Sequence, residues 1–332
     1  MLSQDKQRLI DNFGREIKYV RLSVTDKCNM RCFYCMPKGM KDFETPENWL
    51  TFDEIERIIA AFSQLGVSRV RLTGGEPLVR KNLPDLISRL SALEGIDDLS
   101  LSTNASLLSR YAKDIKEAGI NRINVSLDTL KADQFKEITG NGRLSEVLAG
   151  LQAAKEVGLT PVKINTVAMK GVNDDQFINL VNYCAEMDFT LRFIETMPIG
   201  STGRDATNNY LDLKNVITDL KKQFNLIPGI MAGGGPAKYY RVRNTDLHIG
   251  FITPISQHFC ESCNRVRLSV DGSLYLCLGD KHKFELRPLL RAGITDEDLE
   301  TAIITAINLK PEKHIFNENP DQVVRFMSMT GG

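Results

Sequence analysis

The chain has 332 residues, enough for one large α/β domain or a large domain with a smaller appendage around a sizeable core. Lys+Arg and Asp+Glu balance at 42 each, so net charge calls for neither nucleic acid nor a membrane surface, and any anion site must come from local placement. The opening stretch MLSQDKQRLIDNFGREIKYV is charged throughout and no later apolar run is long enough to span a bilayer, which sets the expectation of a cytoplasmic protein. The 7 cysteines, an odd count, argue against a disulfide framework.

In chain order, short β-prone runs alternate with segments of helical period between residues 19 and 197, the pattern of repeated βα units and a parallel sheet. The strand candidates are YVRLSVT, VSRVRLTG, DLSLSTN, NRINVSLD, TPVKINTV and TLRFIETM. Helices are expected over 52–65, 83–93, 107–118, 144–157 and 174–187, and Gly66, Gly95, Gly119 and Gly158 suit helix C-termini. Six strands of this kind predict an open, partial TIM-like (β/α)6 barrel rather than a closed eight-stranded one. After about residue 200 the period breaks into turn-rich stretches around one further helix, roughly 212–224. A smaller region is expected to lie against the barrel, with 12–235 as the core unit and 236–332 as the appendage.

Strand phase says what the barrel encloses, because side chains alternate faces. Val20, Leu22 and Val24 oppose Arg21, Ser23 and Thr25, and Val70 and Leu72 oppose Arg69, Arg71 and Thr73. Ser100, Ser102 and Asn104, then Asn124, Ser126 and Asp128, then Lys163 and Asn165, then Arg192, repeat the polar phase in the next four strands. Strands covered by helices on both faces would be apolar on both. The polar face therefore lines a wet cavity, and Arg21, Arg69, Arg71, Lys163 and Arg192 within it call for a polyanion.

Six of the cysteines form two triplets. Cys28, Cys32 and Cys35 lie in VTDKCNMRCFYCMPKG as C-x3-C-x2-C, and Cys260, Cys263 and Cys277 lie in C-x2-C-x13-C order. Cys184, alone in FINLVNYCAEM, reads as a small buried hydrophobe. Structural zinc takes four ligands, and no His or fourth Cys stands at finger spacing near Cys35. A four-iron cluster held by three thiolates leaves one iron open, so by spacing alone zinc and iron–sulfur both stand, and the second explains the count of three.

The segment CNMRCFYC resembles the signature loop of radical S-adenosylmethionine (SAM) enzymes, and Thr73–Pro77, TGGEP, resembles their second signature. The second triplet, the segment NRVRL that carries Arg265, Val266 and Arg267, and the SMTGG ending narrow this resemblance to the GTP-cyclising family that opens molybdenum cofactor biosynthesis. The resemblance runs end to end and implies two [4Fe-4S] clusters, on Cys28, Cys32 and Cys35 and on Cys260, Cys263 and Cys277. It implies SAM contacts from Tyr34, Gly75, Glu76, Ser126 and Met197, and GTP contacts from Arg21, Arg71, Ser102, Lys163, Arg265, Val266 and Arg267. Ser102 stands where the family usually has Thr. Arg192 matches a basic residue near the reaction centre, and Gly331 and Gly332 match a tail that enters the barrel beside the position of Arg21. The implied chemistry is reductive cleavage of SAM to a 5′-deoxyadenosyl radical, loss of the C3′ hydrogen of GTP, and ring closure onto C8 to give 3′,8-cyclo-7,8-dihydro-GTP. An external electron donor and a downstream cyclic pyranopterin monophosphate synthase are the implied partners, with no nucleic acid, no membrane, and a monomer or homodimer. Two rival readings stand beside it: another radical SAM enzyme with an auxiliary cluster, such as a peptide-modifying one, and a non-catalytic zinc-binding interaction protein.

Overall fold

The computed structural model describes residues 8–231, 235–316, 318–319, 321 and 323–331. Strands β1 (Tyr19–Ser23), β2 (Arg69–Thr73), β3 (Asp98–Thr103), β4 (Arg122–Ser126), β5 (Val162–Ala168) and β6 (Thr190–Glu195) pair in parallel, in sequence order. Between them run α1 (Phe52–Gln64), α2 (Leu83–Ser91), α3 (Leu108–Glu117), α4 (Ala132–Thr139), α5 (Leu144–Glu156) and α6 (Phe177–Met187). α1 shows why these segments are helical. Thr51 and Glu54 form a reciprocal capping box, and Ile55, Ile58, Ile59 and Phe62 fall on one face at 0% exposure. Each such side chain contributes roughly 1.5–3 kcal/mol by burial. The strand residues assigned to the apolar phase, from Val20 to Phe193, are all in the same core.

The second region extends the sheet instead of lying against it as a separate layer. After α7 (Gly200–Ala206) and α8 (Leu213–Gln223), β7 (Leu226–Gly229) and β8 (Lys238–Val242) lead antiparallel into β9 (His248–Ile252), which pairs in parallel with β6. β10 (Arg265–Leu268) crosses to the opposite edge and pairs in parallel with β1, followed by antiparallel β11 (Ser273–Tyr275) and β12 (Lys283–Glu285). The sheet order is β12-β11-β10-β1-β2-β3-β4-β5-β6-β9-β8-β7, and no pair joins its two ends among the described residues. The partial barrel is thus open, and the second region contributes to both rims. α9 (Arg287–Arg291), α10 (Asp296–Ile307) and α11 (Met327–Thr330) complete the chain.

Five described helices, α4, α7, α9, α10 and α11, lie where sequence period gave none, and two of them bear on the site. α4 occupies a stretch that carried no assignment, and its C-terminal carbonyls on Ile138 and Thr139 accept from the amides of Phe33 and Arg31, anchoring the first cysteine loop. α7 replaces expected turns. Its Gly200 has φ 65° and accepts a neighbour that a Cβ would strike, the ring of Phe326, while its amide donates to Val323. The glycines there serve close packing of the C-terminal segment as well as turning.

Candidate active site

Parallel, in-register pairing sets Arg267, Arg21 and Arg71 side by side across β10, β1 and β2, with Arg265 and Arg69 flanking Tyr19 one step earlier. Three guanidiniums on one face of three adjacent strands repel one another unless an anion lies over them. Burial is the largest influence on each. It holds Arg21 well below the usual arginine range, Arg71 at about 10 and Arg267 at about 9, with the neighbouring arginines adding to the effect on Arg21. These residues line one cavity together with Arg192, Arg265, Cys260, Cys263 and Cys277. An adjoining basic recess is lined by Arg69, Arg71, Arg122, Lys163 and Arg192. Burial, then Arg192, Arg122 and Arg71, bring the Lys163 ammonium down to about 8. Arg122 and Tyr19 escaped the sequence reading, although both stand in the polar phase of their strands. Tyr239, which lines the recess from β8, carried no such signal.

The first triplet lines a second cavity with Tyr34, Gly74, Gly75, Ser102, Asn104 and Ser126. Asn165, Ile194, Met197 and Met327 belong to the walls of both cavities, so the two chambers adjoin. Ser102, grouped with the bases by resemblance, lies on the first-triplet side. Val266 lies on the wall of the first cavity between Arg265 and Arg267, and its side chain is fully buried in the core.

The glycines of TGGEP have a structural reason here. A Cβ on Gly74 would lie 2.1 Å from the carbonyl oxygen of Thr25, and one on Gly75 2.3 Å from that of Lys27, so only glycine lets this turn press against the cysteine loop. The amides of Gly75 and Glu76 donate to those same two carbonyls at 2.8 and 2.9 Å. The Glu76 carboxylate is 1% exposed and accepts from Thr103 Oγ1, the Asn104 amide and the Leu78 amide, with its pKa raised to about 7 by burial. It braces the end of β3, while the main chain of the turn faces the chamber. Tyr34 donates to Asp128 at 2.8 Å, and burial pushes Asp128 up to about 6.

None of the seven cysteines is in a disulfide. Burial pushes Cys28 up to about 11, Cys35 up to about 12 and Cys32 well above the ordinary thiol range, and Glu76 and Asp128 add to the effect on Cys28 and Cys32. Thiolates held there need a strongly cationic partner. In the second triplet burial also raises Cys260 and Cys277, but Lys310 and Arg265 outweigh it at Cys263 and bring that thiol below its usual value. No three His, Cys, Asp or Glu side chains converge on a single-ion site among the described residues. Two sets of three thiols, each lining a cavity, fit in number and kind a multi-iron cluster with one iron left for a ligand.

The tail lies between the chambers. Arg267 Nη1 donates to the carbonyl of Thr330 at 3.2 Å and to that of Gly331. Gly331 has φ 74°, and a Cβ there would stand 2.2 Å from Thr73 Cγ2. The contact visible for the tail is therefore with Arg267, the neighbour of Arg21 across the β1–β10 pairing. Gly332 lies outside the described residues.

A parallel strand run with a three-cysteine loop after its first strand and a glycine turn after its second defines a radical SAM protein, and the profile of the radical SAM superfamily matches residues 22–184. SuiB from Streptococcus suis, solved bound to S-adenosylmethionine, shares the fold at a TM-score of 0.60 and 17% identity, covering 87% of this chain and 68% of that one. The profile Molybdenum Cofactor Synthesis C matches residues 189–316. The GTP 3′,8-cyclases of Hydrogenovibrio crunogenus and Rhizobium etli are each 46% identical to this chain, over 98% of it and 99% of the relative in the first case and 100% and 96% in the second. That of Marinobacter nauticus is 44% identical over 98% of this chain and 99% of its own. The chain belongs to the GTP 3′,8-cyclase family.

Proposed function

We propose that this chain divides GTP 3′,8-cyclisation between its two chambers, with SAM on the first triplet and GTP on the second. The activity is conversion of GTP to 3′,8-cyclo-7,8-dihydro-GTP, the first step of molybdenum cofactor biosynthesis. The observation that carries the division is the in-register row Arg267, Arg21, Arg71 on the wall of the cavity that the second triplet lines, with the first triplet on the adjoining one. A triphosphate neutralises that row, and Lys163 with Arg192 closes on it from the recess. Cys28, Cys32 and Cys35 would hold a [4Fe-4S] cluster that supplies the electron for SAM cleavage, and Cys260, Cys263 and Cys277 a second whose open iron is a Lewis-acid site for the guanine. The main chain of Gly75, with Ser126 and Met197, orients SAM, and Tyr34, fixed by Asp128, packs on its adenine. Glu76 acts through the turn that it braces. Met197 and Asn165, on the shared wall, set the two ligands against each other, and orientation is this chain's main contribution to the rate. Arg21, Arg192 and the tail at Gly331 border the reacting ribose and exclude water. An external one-electron donor and a following enzyme that rearranges the cyclised nucleotide complete the reading. A cytoplasmic site belongs to this reading; no described helix is long and apolar enough to cross a membrane.

The test is anaerobic reconstitution followed by GTP, SAM and a reductant. 5′-Deoxyadenosine and a cyclised dihydro-GTP, identified by mass and NMR, support the reading. SAM cleavage that GTP does not stimulate and that yields no nucleotide product overturns it in favour of another radical SAM substrate.

A further inference from the structure

A buried lysine that no motif singles out sits against the second triplet. Lys310 follows α10 and is 3% exposed. Its Nζ lies 3.9 Å from Cys263 Sγ and 3.2 Å from the carbonyl oxygen of Arg265, and it also donates to the carbonyl of Leu276. Arg265 follows Cys263 by two residues and Leu276 immediately precedes Cys277, so one ammonium grips the chain beside two of the three thiols. No carboxylate pairs with it among the described residues. An ammonium taken out of water among carbonyl dipoles and a neutral thiol is costly, and the anion that would balance it is the thiolate set itself.

The segment carrying Lys310 is clamped. Arg15, 7% exposed, pairs with Asp11 at 2.6 Å and donates to the carbonyls of Cys260 at 2.9 Å, Glu312 at 2.6 Å and Pro311 at 2.7 Å. A buried ion pair near the start of the chain therefore ties the first cysteine of the triplet to the strap that bears Lys310. Nothing in this arrangement touches the SAM chamber.

We infer that Lys310 is a positioning residue of the second cluster, its ammonium balancing the negative charge of the three thiolates and drawing the Cys263 and Cys277 segments together. The inference rests on the reading that Cys260, Cys263 and Cys277 carry a four-iron cluster. Reduction adds a further negative charge to an already anionic site, and a fixed cation stabilises that state most. Lys310 therefore raises the reduction potential of the second cluster.

The test uses the full chain with Cys28, Cys32 and Cys35 replaced by Ala, so that only the second site loads, and compares Lys310, Lys310→Met, Lys310→Gln and Lys310→Arg. Iron per chain is counted after anaerobic reconstitution, and the reduced cluster is followed by electron paramagnetic resonance through a redox titration. The parent should take up about four irons per chain. The Met and Gln variants, which both lose the charge, should titrate at more negative potentials than the parent, and Arg should return toward it. Iron lost from both Met and Gln while the apo-protein melts at the parent temperature also supports the role. An unchanged midpoint in the Gln variant overturns it, because Gln keeps hydrogen-bond donors and removes only the charge. A parent that binds no iron overturns the cluster reading and this inference together, an outcome that the iron count separates from the other.

Discussion

Two thiols of the first triplet, Cys28 and Cys32, have a carboxylate beside them, whereas all three of the second, Cys260, Cys263 and Cys277, have the Lys310 ammonium. Glu76 and Asp128 add their charge to the burial that raises Cys28 and Cys32, while Lys310 and Arg265 overcome burial at Cys263. The two sites offer the same ligand set, so it is their surroundings that separate them. Negative neighbours disfavour an electron held on the first site, which suits a site that gives its electron away. Positive neighbours favour anionic charge at the second, which suits a site that anchors a ligand. The chambers adjoin through Met197, Asn165, Ile194 and Met327, so ligands held at the two sites would meet across that shared wall.

The largest effect should come from the first site. Cys32→Ala should abolish SAM cleavage and, with it, GTP conversion, while the second site still takes up about four irons. Measurable 5′-deoxyadenosine from that variant, with GTP present, would break the comparison.

Next is the tail that separates the chambers. Gly331→Leu places a side chain where Thr73 Cγ2 stands 2.2 Å from the Cβ position, at a φ of 74°. It should leave both clusters and GTP binding largely intact and lose cyclisation. Full-rate product from this variant, or from a chain lacking Gly331 and Gly332, would return the tail to an inert end.

Smaller still is the loss of one phosphate contact. Lys163→Ala should weaken GTP binding by roughly 1.5–3 kcal/mol, the scale of a charged hydrogen bond, with SAM affinity unchanged. Arg267→Ala should cost at least as much and also disturb cyclisation, because Arg267 holds the carbonyls of Thr330 and Gly331. Calorimetric titration with GTP and with guanosine checks both: equal losses for the two ligands would remove the phosphate from the explanation.

The smallest is a proton. Burial and the neighbouring Arg192, Arg122 and Arg71 lower Lys163 to about 8, against the opposing pull of Asp98. Above that pH the free enzyme carries a neutral amine, and an arriving triphosphate favours the ammonium, so binding takes up a proton. Titrations at pH 8.5 in buffers of different ionisation enthalpy should show net uptake in the wild type and less in Lys163→Ala. Identical uptake in both would assign the proton elsewhere.

Much of this was legible in the chain. The βα alternation and the apolar phase follow from side-chain geometry, and the same phase placed Arg21, Arg71, Lys163 and Arg192 on cavity walls before any pairing was known. Arg122 and Tyr19 carried the same signal unread. Other features are not local. That β9 and β10 would join opposite rims of one sheet depends on a chain crossing, and nothing in either segment announces its partner. Lys310 sits after a helix in the run NLKPEK, with no motif around it, and only the fold brings it to Cys263. Glu76 shows the converse: the motif was recognised, but its carboxylate is occupied by Thr103, Asn104 and Leu78 inside the protein.

The division between the two sites is tested most directly with Cys263→Ala, reconstituted anaerobically and given GTP, SAM and reductant, with 5′-deoxyadenosine and cyclised nucleotide measured separately. The account predicts residual 5′-deoxyadenosine and no cyclised product. Cyclised product at the wild-type rate would contradict it.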